Sequence, residues 1–227
     1  MARRELGETS GGFLGFLTPE EREDLERRGR MRNYRRNLSV FNEGDTTGRV
    51  VVLAKGRVKA SFFTEDGKEV LLAIREPGDL LGEFSALDGE PHSASAIALE
   101  PVDALVVSAE DFRAFLRDHP RVALHLLESL SRRLRDADSK RVEFLAYDSV
   151  GRVARRLVEL ADRFGETSEG ETEITVRLTQ EELAGWAGCS REAASKALQA
   201  LRGRGWIETH RRGVTILDLD ALVRRSA

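Results

Sequence analysis

The chain has 227 residues, 41% of them apolar and 33% charged, with a net charge of −3. This is enough apolar material for one large core or two modest ones, and the near balance of charge excludes a strongly basic body or an acidic tail. No apolar run approaches the roughly 20 residues that span a bilayer, and a single cysteine excludes an internal disulfide and a four-cysteine iron–sulfur cluster.

The opening stretch, MARRELGETSGGF, has two arginines but no apolar segment behind them, so secretion is not expected and a soluble cytoplasmic protein is. Thr18-Pro19-Glu20-Glu21 reads as a capping box with proline at the first helical position, so a short helix leads in. From about Leu38 to Val107, glycines recur at Gly44, Gly56, Gly67, Gly78 and Gly89, bracketing the β-rich runs VVVLA, RVKASFF, EVLLAI, SAIAL and ALVV. Glu65-Asp66-Gly67-Lys68 has the chemistry of a hairpin turn. Short strands separated this way predict an antiparallel barrel or jelly roll. Inside it, Gly82 to Ser95 reads GEFSALDGEPHSAS, too polar for a core strand and too broken by glycine and proline for a long helix.

Beyond Pro120, neither proline nor glycine occurs as far as Leu145, and the pattern turns helical. Val122, His125 and Leu126 suit a helix lying on its own barrel. Ala123, Leu127, Leu130, Leu134, Ala137, Arg141 and Phe144 form a second stripe, an a/d seam of about three heptads with Arg141 as its flaw. A helix with two stripes needs two partners, and a parallel homodimer is expected along the seam.

A second domain begins near Asp148. The helical VGRVARRLVELADRF runs into GETSEGETE, which reads as a solvated loop. Thr179-Gln180-Glu181-Glu182 is another capping box, opening a short helix whose buried face is Leu183, Ala184 and Ala187. Gly188-Cys189 supplies a tight turn, and Ser190 caps a second helix with Ala194, Leu198 and Leu201 inside and Arg191, Glu192, Ser195, Lys196 and Gln199 outside. Two short helices around a glycine turn are a helix-turn-helix. WIETH and GVTILD then flank Arg211-Arg212-Gly213 as a basic-tipped wing. Packing alone also produces such helix pairs. Here, however, an arginine, a glutamate and a lysine crowd the exposed start of the second helix, where side chains read guanine and cytosine edges. Arg202, Arg204, Arg211 and Arg212 are placed to meet phosphates. From Arg177 onward, nine basic and six acidic side chains leave a net of +3.

The whole order resembles the cyclic-AMP receptor protein/FNR (Crp–Fnr) family of bacterial transcription regulators, over roughly residues 13 to 218. The motifs that carry the likeness are GDLLGEFSALDGEPHSAS and LTQEELAGWAGCSREAASKAL. The resemblance implies an α+β chain in three parts: a cyclic-nucleotide-binding-like β-roll over 13–118, a dimerisation helix over 119–146, and a winged helix-turn-helix over 147–220. It implies a homodimer on double-stranded DNA, reading an inverted repeat like TGTGA–N6–TCACA, with RNA polymerase as partner and no membrane. The DNA-binding residues would be Thr179, Gln180, Ser190, Arg191, Glu192, Ser195, Lys196, Arg211 and Arg212. Lys196 stands where arginine is common, replacing a fork by a point charge.

By the same resemblance Gly82 to Ser95 is a phosphate-binding cassette. Gly82, Glu83, Phe84, Ser85, His92, Ser93 and Ala94 would surround a cyclic nucleotide, cyclic AMP or cyclic GMP. Glu83 would accept the ribose 2′-hydroxyl, Ser93 would donate to phosphate, and Arg133 of the long helix would steady Glu83. Two departures matter. His92 stands where the family has arginine, and a charge-assisted hydrogen bond is worth about 1.5–3 kcal/mol, so cyclic AMP is expected to bind weakly. Ala137 and Asp138 stand where hydroxyls read adenine, and the ionised Asp138 offers acceptors for adenine's N6 amine or, better, for guanine's N1–H and N2–H. Tight cyclic AMP binding, another nucleotide or metabolite, and a purely structural roll all stay open, the last as an effector-independent regulator. A metal-dependent cupin would need histidines clustered on strands. The four here are His92, His119, His125 and His210, far apart, so neither a metal site nor an enzyme is expected.

Overall fold

The computed structural model describes residues 6, 11–65, 67–168, 170–210 and 213–226. Two helices, α1 (Gly12–Phe16) and α2 (Pro19–Arg28), precede β1 (Gly29–Tyr34), β2 (Ser39–Phe41), β3 (Arg49–Lys55), β4 (Val58–Phe63), β5 (Glu69–Arg75) and β6 (Leu80–Leu81). Then come α3 (Glu83–Asp88), β7 (Ser95–Ala98), β8 (Val102–Ser108), α4 (Ala109–Asp118) and the 27-residue α5 (Pro120–Ala146). The remainder is α6 (Ser149–Phe164), β9 (Gly165–Ser168), β10 (Glu171–Ile174), α7 (Gln180–Trp186), α8 (Arg191–Gly203), β11 (Ile207–His210), β12 (Gly213–Ile216) and α9 (Leu219–Ser226).

Both capping boxes form. Thr18 accepts from the Glu21 amide while Glu21 accepts from the Thr18 amide, and Thr179 and Glu182 do the same ahead of α7. The five evenly spaced glycines all take positive φ, between 78° and 97°, which lets the short strands turn back on one another. The strands order as β1-β8-β3-β6 and β2-β7-β4-β5, and every pairing with a resolved register is antiparallel.

The chain divides into two compact units, one of residues up to 63 with 72–134, the other of 64–71 with the chain from 135 onward. In the first, strand alternation sends β3 side chains into two cores. Val51 and Leu53 join Val40, Phe41, Val58 and Leu81 in the apolar cluster lined by β2, β4, β7 and β8. Val50 and Val52 join Leu25, Phe112, Phe115, Val122 and Leu126 beneath the helices.

In the second unit, α6 buries Val153, Leu157, Leu160 and Phe164, and α8 buries Ala194, Leu198 and Leu201. The stretch GETSEGETE is not a loop. It forms the hairpin β9–β10, and β10 pairs with β12, so the expected two-stranded wing is part of a four-stranded sheet, β11-β12-β10-β9. The second stripe of α5 is divided: Leu127, Leu134 and Phe144 lie in solvent as the seam requires, but two of its members do not. Ala123 and Leu130 pack against the helical core of their own unit. Leu124, Leu127, Leu134 and Leu145 are the leucines left in solvent along the helix.

Candidate functional site

The segment from Gly82 to Ser95 is held from below. Gly82, with φ of 78°, caps the N-terminus of α3, and a Cβ there would stand 2.4 Å from the carbonyl oxygen of Arg49 and 3.0 Å from Cε1 of His92. Only glycine fits this approach. Glu83 is 2% exposed, yet its carboxylate is not alone: Nη1 of Arg133 on α5 donates to it, and Nη2 reaches the Leu80 carbonyl at 3.4 Å. Burial without such a partner would be costly. Ser85 and Ala86 are buried, whereas Phe84 is half in solvent. Arg113 of α4 donates to the Ala86 carbonyl at 2.5 Å, fastening the short helix to its neighbour.

The loop beyond α3 splits its residues. Ser93 is exposed and Ala94 half-buried. His92 turns inward. It is 4% exposed, its ring lies stacked 4.0 Å from that of Phe41, and its main chain exchanges hydrogen bonds with Asp45 and Gly44. Burial, with the nearby Arg49 charge, pushes its pKa down, so the imidazole is neutral at pH 7. Asp138 lies five residues beyond Arg133 on α5, exposed and ion-paired with Arg141 at 3.5 Å. It does not share a compact unit with the cassette.

In the second unit, Ser190 caps α8 by accepting from the Ala193 amide at 3.2 Å, which fixes where the helix starts. Arg191, Glu192, Lys196 and Gln199 are exposed on one face, with Ser195 half-buried beside them. No hydrogen bond or ion pair ties down Arg191 or Lys196 among the described residues. The backbone amide at its own position and the Ser190 hydroxyl hold the Glu192 carboxyl below its usual range, so it is an acceptor at neutral pH. Gln180 and Thr179 are exposed at the start of α7. Arg202 donates to the Thr209 hydroxyl at 3.3 Å, and Arg204 lies over Trp206, 5.4 Å from its ring centre. Arg211 and Arg212 lie outside the described residues.

The turn between α7 and α8 depends on a residue that the sequence pattern did not single out. Arg152 of α6 donates to the Ala187 carbonyl at 2.8 Å, the Gly188 carbonyl at 3.2 Å and the Tyr147 carbonyl at 2.5 Å. One guanidinium thereby satisfies the C-terminal end of α7, and Gly188, with φ of 61°, makes the reversal. Nearby, Arg156 is 3% exposed and pairs with Glu143 of α5 and with Glu159 at 2.6 Å. Cys189 beside the turn is half-buried, and burial pushes its thiol pKa up, away from nucleophile chemistry. Among the described residues no cluster of histidine, cysteine or carboxylates could hold a metal, and no helix is long and apolar enough to cross a membrane.

Two family models match the chain: a cyclic nucleotide-binding domain over residues 31–119 and a Crp-like helix-turn-helix domain over residues 151–225. A CRP-like cAMP-activated global transcriptional regulator of Mycobacterium tuberculosis is 37% identical over 194 residues, 86% of this chain and 87% of that protein. The cyclic AMP receptor protein of Thermus thermophilus is 35% identical over 190 residues, 83% and 84% of the two chains. Among solved structures, a CooA mutant from Carboxydothermus hydrogenoformans superposes with a TM-score of 0.80 at 22% identity, covering 98% of this chain and 99% of its own. At that identity the likeness is one of fold.

Proposed function

Because the chain belongs to the Crp–Fnr family of transcription regulators, joining a cyclic nucleotide-binding domain to a Crp-like helix-turn-helix, we propose that it is a nucleotide-gated homodimer on an inverted-repeat operator. The observation that carries the gating is the buried Glu83–Arg133 pair, which ties the cassette to α5. A ligand hydroxyl accepted by Glu83 must share that carboxylate with Arg133, so binding acts directly on a helix that continues into the DNA-binding unit. The backbone amides at the start of α3 and the Ser93 hydroxyl take the phosphate, and Phe84 covers the ligand. The division into a roll at 13–118, a dimer helix at 119–146 and a winged helix-turn-helix at 147–220 is the functional one proposed.

The leucines exposed along α5 support the dimer: Leu124, Leu127, Leu134 and Leu145 leave large apolar side chains in solvent along one helix, and exposed apolar patches mark interaction surfaces. Two recognition helices related by a two-fold axis then enter successive major grooves about one helical turn apart. Arg191 and Lys196 face guanines, Glu192 faces a cytosine amine, and Thr179, Gln180 and Ser190 approach the backbone. RNA polymerase is the proposed partner on DNA, and the cytoplasm the proposed compartment.

Fluorescence anisotropy with a labelled TGTGA–N6–TCACA duplex tests the reading, with and without cyclic AMP or cyclic GMP. Tighter operator binding with one nucleotide is expected. Operator binding indifferent to both would make the protein an effector-independent regulator with a structural roll.

A further inference from the structure

Two buried polar atoms beneath the cassette have no protein partner. They are Nε2 of His92 and Nε of Arg49. Arg49 opens β3, and alternation places its side chain on the face that carries Val51 and Leu53, toward the cluster shared with Phe41. Among the described residues its side chain makes a single hydrogen bond, a donation from Nη2 to the Val40 carbonyl at 3.1 Å, and no carboxylate pairs with it. A guanidinium carries five N–H donors and a permanent charge. Half-buried, this one has no ion-pair partner among the described residues, and its buried Nε has no acceptor.

Its position is specific. The carbonyl of Arg49, the Cα of Gly82 and the ring of His92 meet at one point, where a single added methyl would clash. Arg49 is also near enough to His92 to oppose protonation of the imidazole. Buried polar groups are ordinarily satisfied, and an unpaired cation beside an orphaned ring nitrogen calls for an anion able to accept from both. His92 stays neutral and can offer one N–H, so it cannot supply the charge.

We infer that Arg49 is the cation of the cassette: it leaves the Val40 carbonyl for the phosphate of a cyclic nucleotide seated at Gly82, with His92 donating beside it. The inference rests on the cassette being a nucleotide site, and it removes the expectation that His92 in place of an arginine must weaken binding.

Titration calorimetry of the full chain with cyclic AMP and with cyclic GMP tests it, comparing the unaltered protein with Arg49→Gln, Arg49→Lys and Glu83→Ala. Arg49→Gln is expected to weaken nucleotide binding by about 10- to 100-fold, the worth of one charge-assisted hydrogen bond. Arg49→Lys should keep part of that affinity. The thermal midpoint of nucleotide-free Arg49→Gln should match or exceed that of the unaltered protein, since a charge with no ion-pair partner among the described residues is gone. Full affinity in Arg49→Gln, with affinity lost in Glu83→Ala, would overturn the role of Arg49 and leave the nucleotide site standing. Failure of the unaltered protein to bind either nucleotide would overturn both.

Discussion

Arg133 donates from Nη1 to the buried carboxylate of Glu83, fifty residues earlier in the chain, and so joins α5 to the first turn of α3. Removing one member of a buried pair strands the other, at a cost of about 3 kcal/mol. Arg133→Met should therefore lower the urea midpoint markedly, and adding Glu83→Gln should recover most of the loss. A single substitution costing under about 0.5 kcal/mol, the level of an exposed ion pair, would show that the pair is screened by solvent.

Gly82 and Gly89 bracket α3 at nearly the same φ, 78° and 82°, but only Gly82 faces backbone at contact distance. Gly89→Ala should cost about 1–2 kcal/mol, the left-handed penalty alone. Gly82→Ala must also displace the Arg49 carbonyl and should cost more. Equal midpoints in thermal denaturation would mean that the loop yields.

Along α5, Leu127→Asp with Leu134→Asp should give monomers by analytical ultracentrifugation and abolish operator binding, with the roll still folded. Leu130→Asp should behave differently, unfolding its own unit, because that side chain packs on the helical core. A stable dimer in the double variant would place the interface elsewhere.

On the recognition helix, Arg191→Ala should lose about 1–3 kcal/mol at its guanine and relax the preference at that base pair. Binding measured against duplexes carrying each base there separates this from a phosphate contact, whose loss would weaken every sequence alike.

The depressed pKa of His92 has a definite sign in stability. The folded state binds that proton less tightly than the unfolded chain, so its contribution is complete above the ordinary histidine value of about 6.5 and is lost as pH falls below it. Asp24 acts lower. Burial opposes its ionisation, but hydrogen bonds from His119, Arg28 and Arg27 outweigh it and hold the carboxyl at about 2, so that increment is lost between about pH 4 and 2. Chemical denaturation across pH should show the upper step vanish in His92→Gln and the lower one persist.

What was legible in the sequence is what local chemistry decides. Thr18 and Thr179 form their capping boxes because each box needs only four consecutive residues, and the glycine rhythm of the roll follows from turns that require positive φ. The stripe on α5 was legible in part, with Leu127, Leu134 and Phe144 exposed where it put them. The helical core of its own unit claims Ala123 and Leu130, and nothing within the helix encodes what its neighbour will cover. The β9–β10 hairpin was hidden because its polar residues pair by register with β12, about forty residues away, rather than by propensity. Arg49 and Arg152 were hidden for a similar reason. An arginine at a strand's start or on a helix does not announce which carbonyls it will reach.

The grip of Arg152 on the carbonyls of Ala187 and Gly188 changes what counts as a transferable part. A recognition helix is commonly imagined as a cassette exchangeable between regulators at its own two ends. Here the turn between α7 and α8 is held partly by a side chain nearly thirty residues before the helix pair, on α6. A chimera that grafts α7 and α8 alone onto a scaffold without this arginine would carry the right letters at a wrong inclination. The smallest portable reader in this protein therefore begins with α6.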